Sequence, residues 1–245
     1  MRCVVALCAL VSGLCHAAEV SVAVAANFTA PMQKIVALFE QDTRHKVVLS
    51  FGSTGRFYAQ IANGAPFNIL LSADDQTPAR LEKEGLAVPG SRFTYAVGRL
   101  VLWSKQPGLV DAGGEVLRKG TFDKIAIADP KLAPYGTAAM ETLARLGLQT
   151  SLSTRTVQGE NITQVYQYVA TGNVALGFVS LSQVMVNGKI TQGSAWIVPA
   201  TMHVELRQDT VLLTNAKANP AATALLAYLQ SDKARAVIRS YGYEF

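Results

Sequence analysis

Cysteine and histidine are scarce in this sequence, which has 245 residues and three of each. All the cysteines lie near the start, at Cys3, Cys8 and Cys15. The remainder of the chain therefore has no thiol for nucleophilic catalysis, for a thiolate metal site or for a disulfide. Only His45 and His203 lie beyond residue 17, so catalysis that depends on histidine has few candidates.

Common catalytic and nucleotide-binding motifs are also missing. The sequence contains no G-x-G-x-x-G fingerprint, no H-E-x-x-H zinc motif and no phosphate-binding loop. The turn Gly52–Gly55 does not match the nucleophile elbow, which has glycines two residues to either side of the serine. Asp74 and Asp75 form an acidic pair after a strand, which is more typical of a helix cap than of a cation site. We therefore expect no direct cation ligand and no resident cofactor.

The one long apolar run, from Cys3 to Leu14, has about a dozen residues, whereas a membrane-spanning helix needs about 20. It follows a basic start at Arg2 and is followed by small residues up to Ala17, which is typical of a signal peptide. We predict that residues 1–17 are a signal peptide cleaved after Ala17 and that the protein is exported.

Charge is low in the sequence, with 16% charged residues against 50% apolar residues. This balance excludes a disordered chain and predicts one or two domains with large cores. Without residues 1–17 the basic residues fall from 22 to 21 and the acidic residues stay at 17, which leaves a net charge of +4. The charge is spread evenly and forms no basic stripe, so we expect no nucleic-acid partner. The net positive charge mildly favours anions as ligands.

Strand-like and helix-like runs alternate along the chain. The predicted strands are 20–26, 46–51, 68–72, 99–103, 124–128, 174–179 and 211–214. The predicted helices are 31–40, 56–62, one starting at 77, 135–146, 162–170, 221–230 and 233–240. This alternation predicts an α/β fold with mainly parallel, covered sheets. Composition leaves open whether one mixed sheet forms or two lobes joined by two crossover strands.

Four strand-to-helix turns carry small polar residues. They are 25–31, 52–55, 133–137 and 159–163. The N–H groups in a first helical turn lack intrahelical partners and can bind an anion. Helix capping explains any one turn. Four together predict an anion cleft at the carboxyl ends of the strands, where ligands of open α/β sheets bind.

At these turns the sequence resembles a known family. The matching stretches are 24–28 (VAANF), 50–54 (SFGST), 64–68 (GAPFN), 71–74 (LSAD), 159–162 (GENI) and 177–179 (GFV). Taken together and in this order, they resemble the ModA family, the periplasmic molybdate-binding proteins of bacterial molybdate ABC transporters. The resemblance covers nearly the whole chain after residue 17.

The resemblance implies a type II periplasmic-binding-protein fold, in which two α/β lobes joined by two crossover strands enclose a ligand cleft. Lobe I would comprise residues 18–97 plus 199–245, and lobe II residues 98–198. The protein would be a monomeric periplasmic receptor rather than an enzyme. It would bind molybdate or tungstate through neutral hydrogen-bond donors, without a cofactor, and deliver the ion to an inner-membrane ABC permease.

The resemblance also implies the site residues. The oxyanion-binding positions would be Asn27, Ser53, Thr54, Tyr135, Asn161 and Ile162. Tyr135 and Ile162 would contribute backbone amides. Some members have a tyrosine hydroxyl at the position of Ser180, so we expect the Tyr135 hydroxyl to supply that donor instead.

Alternatives remain at this point. A receptor of the same fold for sulfate or phosphate would differ in cage size, and a sensor without a permease would share the same site. A secreted hydrolase would use Ser53 or Ser72 as nucleophile, with His45 or His203 as the histidine base.

Overall fold

The computed structural model describes residues 17–245, so the predicted signal peptide lies outside the described residues except for Ala17. In chain order the strands are β1 (Glu19–Ala25), β2 (Lys46–Gly52), β3 (Ile69–Leu71), β4 (Phe93–Gly98), β5 (Leu100–Ser104), β6 (Ile125–Ala128), β7 (Thr156–Gly159), β8 (Leu176–Ser180), β9 (Met185–Val186), β10 (Lys189–Ile190), β11 (Ser194–Ile197) and β12 (Leu206–Leu212). Within the described range they form two five-stranded sheets and a two-stranded ribbon of β9 and β10.

Helices connect most of these strands. They are α1 (Thr29–Thr43), α2 (Thr54–Ala62), α3 (Gln76–Lys83), α4 (Val116–Lys119), α5 (Pro134–Arg145), α6 (Gln149–Leu152), α7 (Ile162–Ala170), α8 (Leu181–Val184), α9 (Pro220–Leu229) and α10 (Asp232–Ser240). Short 3-10 helices lie at Ala26–Phe28, Ser153–Arg155, Ala200–Met202 and Thr214–Ala216. No helix within residues 17–245 is long and apolar enough to cross a membrane.

Both sheets are mixed rather than mainly parallel, which corrects the prediction from the sequence. The first sheet has the order β2-β1-β3-β12-β4, and the second has the order β11-β5-β8-β6-β7. In the first sheet β1 pairs in parallel with β2 and β3, whereas β12 is antiparallel to β3 and β4. The parallel pairs belong to strand–helix–strand units. The antiparallel pairs arise where the chain passes between the sheets, from β4 to β5 and back from β11 to β12.

Each sheet has a hydrophobic core of its own, so the molecule has two lobes. Lobe I is the first sheet with α1, α2, α3, α9 and α10, and it packs apolar side chains on both sheet faces. Lobe II is the second sheet with α4 to α8. The two-lobed α/β fold implied by the resemblance is thus confirmed. The division at residues 97/98 and 198/199 stays a prediction; the first sheet ends at Gly98 before the crossover and resumes at Leu206.

The first helix shows how the sequence pattern produces local structure. Its predicted apolar face, with Met32, Ile35, Val36 and Phe39, is buried against the first sheet. This spacing places all four side chains on one side of the helix. The helix is longer than predicted, because the 3-10 turn before it brings the chain into helical geometry at Thr29.

Candidate functional site

A small cavity lies between the lobes, at the carboxyl ends of several strands. Its twelve lining residues are Ala25, Ala26, Asn27, Gly52, Ser53, Thr54, Ala73, Ala133, Pro134, Tyr135, Asn161 and Ile162. All six sequence-predicted site residues are among them. The space among the lining residues is far smaller than that of pockets for drug-sized ligands, so a ligand held there would have to be small. None of these lining residues, all within the described range, has a charged side chain.

Asn27 belongs to the turn that follows β1. Its side chain is buried and both amide hydrogens are engaged, since Nδ2 donates to Gln208 Oε1 and to the Tyr243 hydroxyl, each over 2.9 Å. In this arrangement the side-chain amide has no free hydrogen to donate to a ligand. The backbone N–H lies in the first turn of the 3-10 helix, where an N–H has no intrahelical acceptor. The first turn thus offers a backbone donor.

Ser53 is the N-cap of α2, yet its hydroxyl caps nothing. The residue is 4% exposed, and Oγ has no hydrogen-bond partner among the described residues. An unsatisfied buried hydroxyl costs about 1–3 kcal/mol, so this atom marks a place where a ligand could accept a hydrogen bond. The two other buried side-chain atoms without a partner in the described part, Arg99 Nε and His203 Nε2, belong to residues that do not line the cavity.

Thr54 follows Ser53 and connects the turn to the segment after β3. Its Oγ1 accepts a hydrogen bond of 3.0 Å from the backbone N–H of Ala73. A hydroxyl has one hydrogen and two lone pairs, so a hydroxyl that accepts from the protein can still donate to a ligand. The second turn therefore brings two hydroxyl groups to the cavity.

The remaining two turns belong to lobe II. Pro134 opens α5 and has no N–H, and the N–H of Tyr135 follows it in the first helical turn. Asn161 is the N-cap of α7, and its Oδ1 accepts from the N–H groups of Thr163 and Gln164 over 3.0 and 3.1 Å. This cap leaves the N–H of Ile162 without an intrahelical acceptor. Asn161 thus organises the turn as an acceptor, and Ile162 presents the donor.

The Tyr135 hydroxyl lies in a buried hydrogen-bond network beside the cavity. It accepts from Ser180 Oγ over 3.0 Å and from Gln208 Nε2 over 3.2 Å. Burial raises the pKa of Tyr135 well above its ordinary value, so the hydroxyl stays protonated. A direct contact of this hydroxyl with the ligand stays a prediction.

The sequence reasoning missed three residues that belong to this network or adjoin it, namely Ser182, Gln208 and Tyr243. Gln208 is fully buried in β12, but the predicted strand 211–214 did not reach it; a strand predicted from its true start at Leu206 would have been the signal. Buried polar side chains are usually hydrogen-bonded, so a glutamine in a core strand predicts a partner. Tyr243 is the third residue from the end of the chain and gave no comparable signal.

Contacts between the lobes close the cavity on several sides. Thr163 Oγ1 donates to the backbone carbonyl of Ala26 over 3.2 Å, and Arg56 of α2 forms an ion pair with Glu160. Thr163 and Glu160 belong to lobe II, whereas Ala26 and Arg56 belong to lobe I. The lobes therefore meet around the cavity, so that a bound ion would be removed from bulk water.

A wider groove adjoins the cavity through Thr54, but its charge does not suit an anion. Four carboxylates line it against one lysine: Asp74, Asp75, Glu141 and Glu205 face Lys131. Burial raises the pKa of Asp74, which accepts from the Thr77 N–H at the start of α3, as expected of a helix cap. Within the described residues no cluster of three or more metal-binding side chains occurs. The uncharged cavity is the better candidate site.

The hydrolase alternative requires a serine beside a histidine, and the described part of the chain has no such pair. Ser53 Oγ touches no base, and Ser72 Oγ bonds to Thr54 and Asp74 rather than to a histidine. His45 Nδ1 accepts from the backbone of Ala18, and His203 Nδ1 contacts the backbone of Val204. A serine nucleophile needs a base within hydrogen-bond reach, and neither histidine supplies one.

Comparisons with known proteins identify relatives of the whole chain. The family model described as bacterial extracellular solute-binding protein matches residues 20–244. The molybdate-binding protein ModA of Azotobacter vinelandii is 58% identical over 243 residues, which cover 99% of this chain and 96% of that protein. ModA of Rhodobacter capsulatus is 50% identical over 238 residues, covering 96% and 93%. A solved structure of the Azotobacter vinelandii periplasmic molybdate-binding protein has 41% identity and a TM-score of 0.89, covering 93% of this chain and 99% of that one.

Proposed function

The chain belongs to the ModA family of bacterial extracellular solute-binding proteins, and on that premise we propose that it captures molybdate, and tungstate with it, in the cavity between its lobes. It would work in the periplasm and deliver the ion to an inner-membrane ABC permease. The family consists of binding proteins, which confirms the prediction that the chain is not an enzyme.

The Ser53 hydroxyl, which has no partner among the described residues, carries this proposal, because it lies among turns that provide uncharged donors. The proposed set is the Ser53 and Thr54 hydroxyls with the backbone N–H groups of Asn27, Tyr135 and Ile162. In this proposal Asn27 contributes through its backbone, and Asn161 acts by holding the Ile162 turn.

Donors alone favour a fully deprotonated tetrahedral anion. Each hydrogen bond to a charged group contributes about 1.5–3 kcal/mol, whereas desolvating an ion costs several kcal/mol. The five proposed donors, if preorganised, would together offset this cost without any lysine or arginine in the cavity. Monoprotonated phosphate also needs an acceptor for its proton, and the lining offers few.

Size would separate the remaining tetrahedral anions. Molybdate and tungstate are almost the same size, so one cage should accept both. Sulfate is smaller and would leave some donors too far away to bond. We propose in addition that the protein is monomeric and that it has no nucleic-acid partner, because its net positive charge is not gathered into a stripe.

Thermal unfolding of residues 18–245 with each anion in turn tests the proposal. A ligand at about 1,000 times its dissociation constant adds about 4 kcal/mol to the free energy of unfolding. For a chain of this size that raises Tm by roughly 8–16 °C. We expect such a rise with molybdate and tungstate and none with sulfate or phosphate. A rise in Tm with sulfate alone would mean that the ligand is sulfate rather than molybdate. No rise with any anion would contradict the proposed site.

A further inference from the structure

A closed circuit of buried polar contacts lies directly beside the cavity. It consists of four hydrogen bonds and one close contact between two serine hydroxyl groups. Asn27 Nδ2 donates to Gln208 Oε1 over 2.9 Å, and Gln208 Nε2 donates to the Tyr135 hydroxyl over 3.2 Å. Ser180 Oγ donates to the same hydroxyl over 3.0 Å and lies 2.9 Å from Ser182 Oγ. Ser182 Oγ then donates to the backbone carbonyl of Asn27 over 2.7 Å, which closes the circuit. All five residues are buried.

The circuit joins the two lobes. Asn27 and Gln208 belong to lobe I, whereas Tyr135, Ser180 and Ser182 belong to lobe II. The links from Gln208 to Tyr135 and from Ser182 to Asn27 therefore cross from one lobe to the other. Two of its members, Asn27 and Tyr135, also line the cavity, one from each lobe.

Gln208 is the member that connects these two cavity residues. Its amide oxygen accepts from Asn27 and its amide nitrogen donates to Tyr135, so one planar group fixes the distance between both side chains. The strand around it is irregular, because the register of β12 against β4 shifts between Gln208 and Asp209. Burial raises the pKa of Tyr135, so the circuit is held by neutral groups alone.

A glycine makes room for this connection. A Cβ on Gly98 would lie 2.2 Å from the Tyr135 hydroxyl oxygen and 2.6 Å from Gln208 Nε2, distances that real contacts do not show. Gly98 is the last residue of β4, immediately before the crossover to lobe II. Any side chain there would push Gln208 and Tyr135 apart at the point where the lobes are connected.

We infer that Gln208 is a positioning residue for oxyanion binding, which couples the Asn27 turn of lobe I to the Tyr135 turn of lobe II and thereby holds the donors of both lobes at one distance. The inference rests on the proposed function. Gln208 does not line the cavity and would act on the ion only through its two partners. Its absence should weaken binding mainly by raising the dissociation rate, since the closed arrangement would open more readily.

Gln208→Met tests the inference with little change in shape. Asn27 keeps its bond to Tyr243, and Tyr135 keeps its bond to Ser180, so no partner is left wholly unsatisfied. We expect molybdate to bind about tenfold more weakly, the effect of losing about one hydrogen bond. Tyr135→Phe should give a similar loss, and the double variant should lose little more than either single variant, because both remove the same link.

Thr210→Val is the matched control. Thr210 lies two residues along the same strand, is equally buried, and donates to the backbone carbonyl of Leu70 within lobe I. It should lower the Tm of the free protein without changing the dissociation rate of molybdate. Gly98→Ala provides a second route, since it obstructs the link sterically and should reproduce the tenfold loss while Gln208 is intact.

Hydrogen exchange of the ligand-free protein gives a readout that needs no molybdate. Gln208→Met should speed exchange at residues 26–28 and at 135–136, on both sides of the cavity, whereas Thr210→Val should not. Unchanged exchange in both turns would overturn the inference, as would wild-type affinity in Gln208→Met and Gly98→Ala. Failure of the wild-type protein to bind any oxyanion would instead refute the proposed function, and exchange would then decide whether the coupling exists.

Discussion

The backbone N–H of Gly55 donates a hydrogen bond of 2.9 Å to the backbone carbonyl of Leu132, and this bond joins lobe I to lobe II. Gly55 lies in the first turn of α2, beside the Ser53 and Thr54 hydroxyls. Leu132 comes just before the turn that presents the Tyr135 N–H. Closure of the lobes at this contact therefore sets how near the donors of the two turns can come.

Gly55→Ala should weaken molybdate binding without weakening the free protein. A Cβ at residue 55 would lie 3.1 Å from both Cα and the carbonyl oxygen of Leu132, which is closer than ordinary contact. The contacted atoms of Leu132 belong to the backbone and cannot move by a change of rotamer, so lobe II must shift by a few tenths of an ångström. We expect about a tenfold loss of affinity by calorimetry. The free protein should unfold at the same or a higher temperature, because alanine is the better helix former. Unchanged affinity would show that Leu132 moves to accommodate the Cβ without displacing the donors, which would contradict the prediction.

Ser53→Ala should remove one donor to the ion. We expect a loss of about 1.5–3 kcal/mol in molybdate affinity, or roughly 10- to 100-fold, with no loss in the stability of the free protein, since the hydroxyl has no partner to lose. Ser104→Ala is the control, because that buried hydroxyl donates to the Ala175 carbonyl in lobe II, away from the cavity. It should lower the Tm and leave affinity intact. Equal affinities for Ser53→Ala and the wild type would remove Ser53 from the donor set.

Much of the fold could be predicted because it depends on local patterns. The α7 helix spans residues 162–170, as its apolar periodicity and its Asn161 cap predict. The strands β4 and β7, and the two-residue strands β9 and β10, were missed as elements. The pairing of β4 and β7 depends on partners far along the chain, which a single sequence does not reveal. The prediction of mainly parallel sheets was wrong for a related reason, since β12 enters the first sheet only after the chain returns from lobe II.

The convergence of the six predicted residues on one cavity could be predicted, but not the direction of each side chain; their contact with the ion stays a prediction. All six predicted residues line the cavity, because strand-to-helix turns at one edge of a sheet converge. The sequence could not show that Asn27 directs its amide to Gln208 and Tyr243, which lie 181 and 216 residues away. Donor identity depends on such distant partners, whereas donor location depends on the turn itself.

The ion pair between Arg56 and Glu160 should contribute little to binding, although it bridges the lobes at the edge of the cleft. Both side chains are about half exposed, at 55% and 44%, and exposed pairs typically contribute about 0.2–1 kcal/mol. A double-mutant cycle with Arg56→Gln and Glu160→Gln should give a coupling within that range for molybdate binding. Salt screens exposed charges, so the coupling should shrink in about 1 M salt. A larger, salt-resistant coupling would mean that the pair is shielded from water when the ion is bound.

Molybdate affinity should be flat from about pH 6 to 9, because no residue lining the cavity titrates in that range. The nearby groups that could titrate at alkaline pH include buried tyrosines. Burial raises the pKa of Tyr135 and of Tyr95 well above the ordinary value of about 10. The folded state thus favours their neutral forms. Their contribution to stability is fully present below about pH 10 and is lost as the pH rises through their folded-state pKa values.

Chemical denaturation between about pH 8 and 11 tests the alkaline part of this prediction. The free energy of unfolding should fall above about pH 10, and Tyr95→Phe should make the fall shallower, because the unfolded state then has one fewer tyrosine to ionise. Tyr95 does not line the cavity, but its hydroxyl contacts both the backbone carbonyl of Ser72 and Gln208 Oε1. The Tyr95→Phe variant therefore tests stability and is not a control for affinity. Calorimetry at the same pH values separates the two effects. A step in molybdate affinity between pH 6 and 9 would place a titrating group at the site and contradict a cavity built from neutral donors.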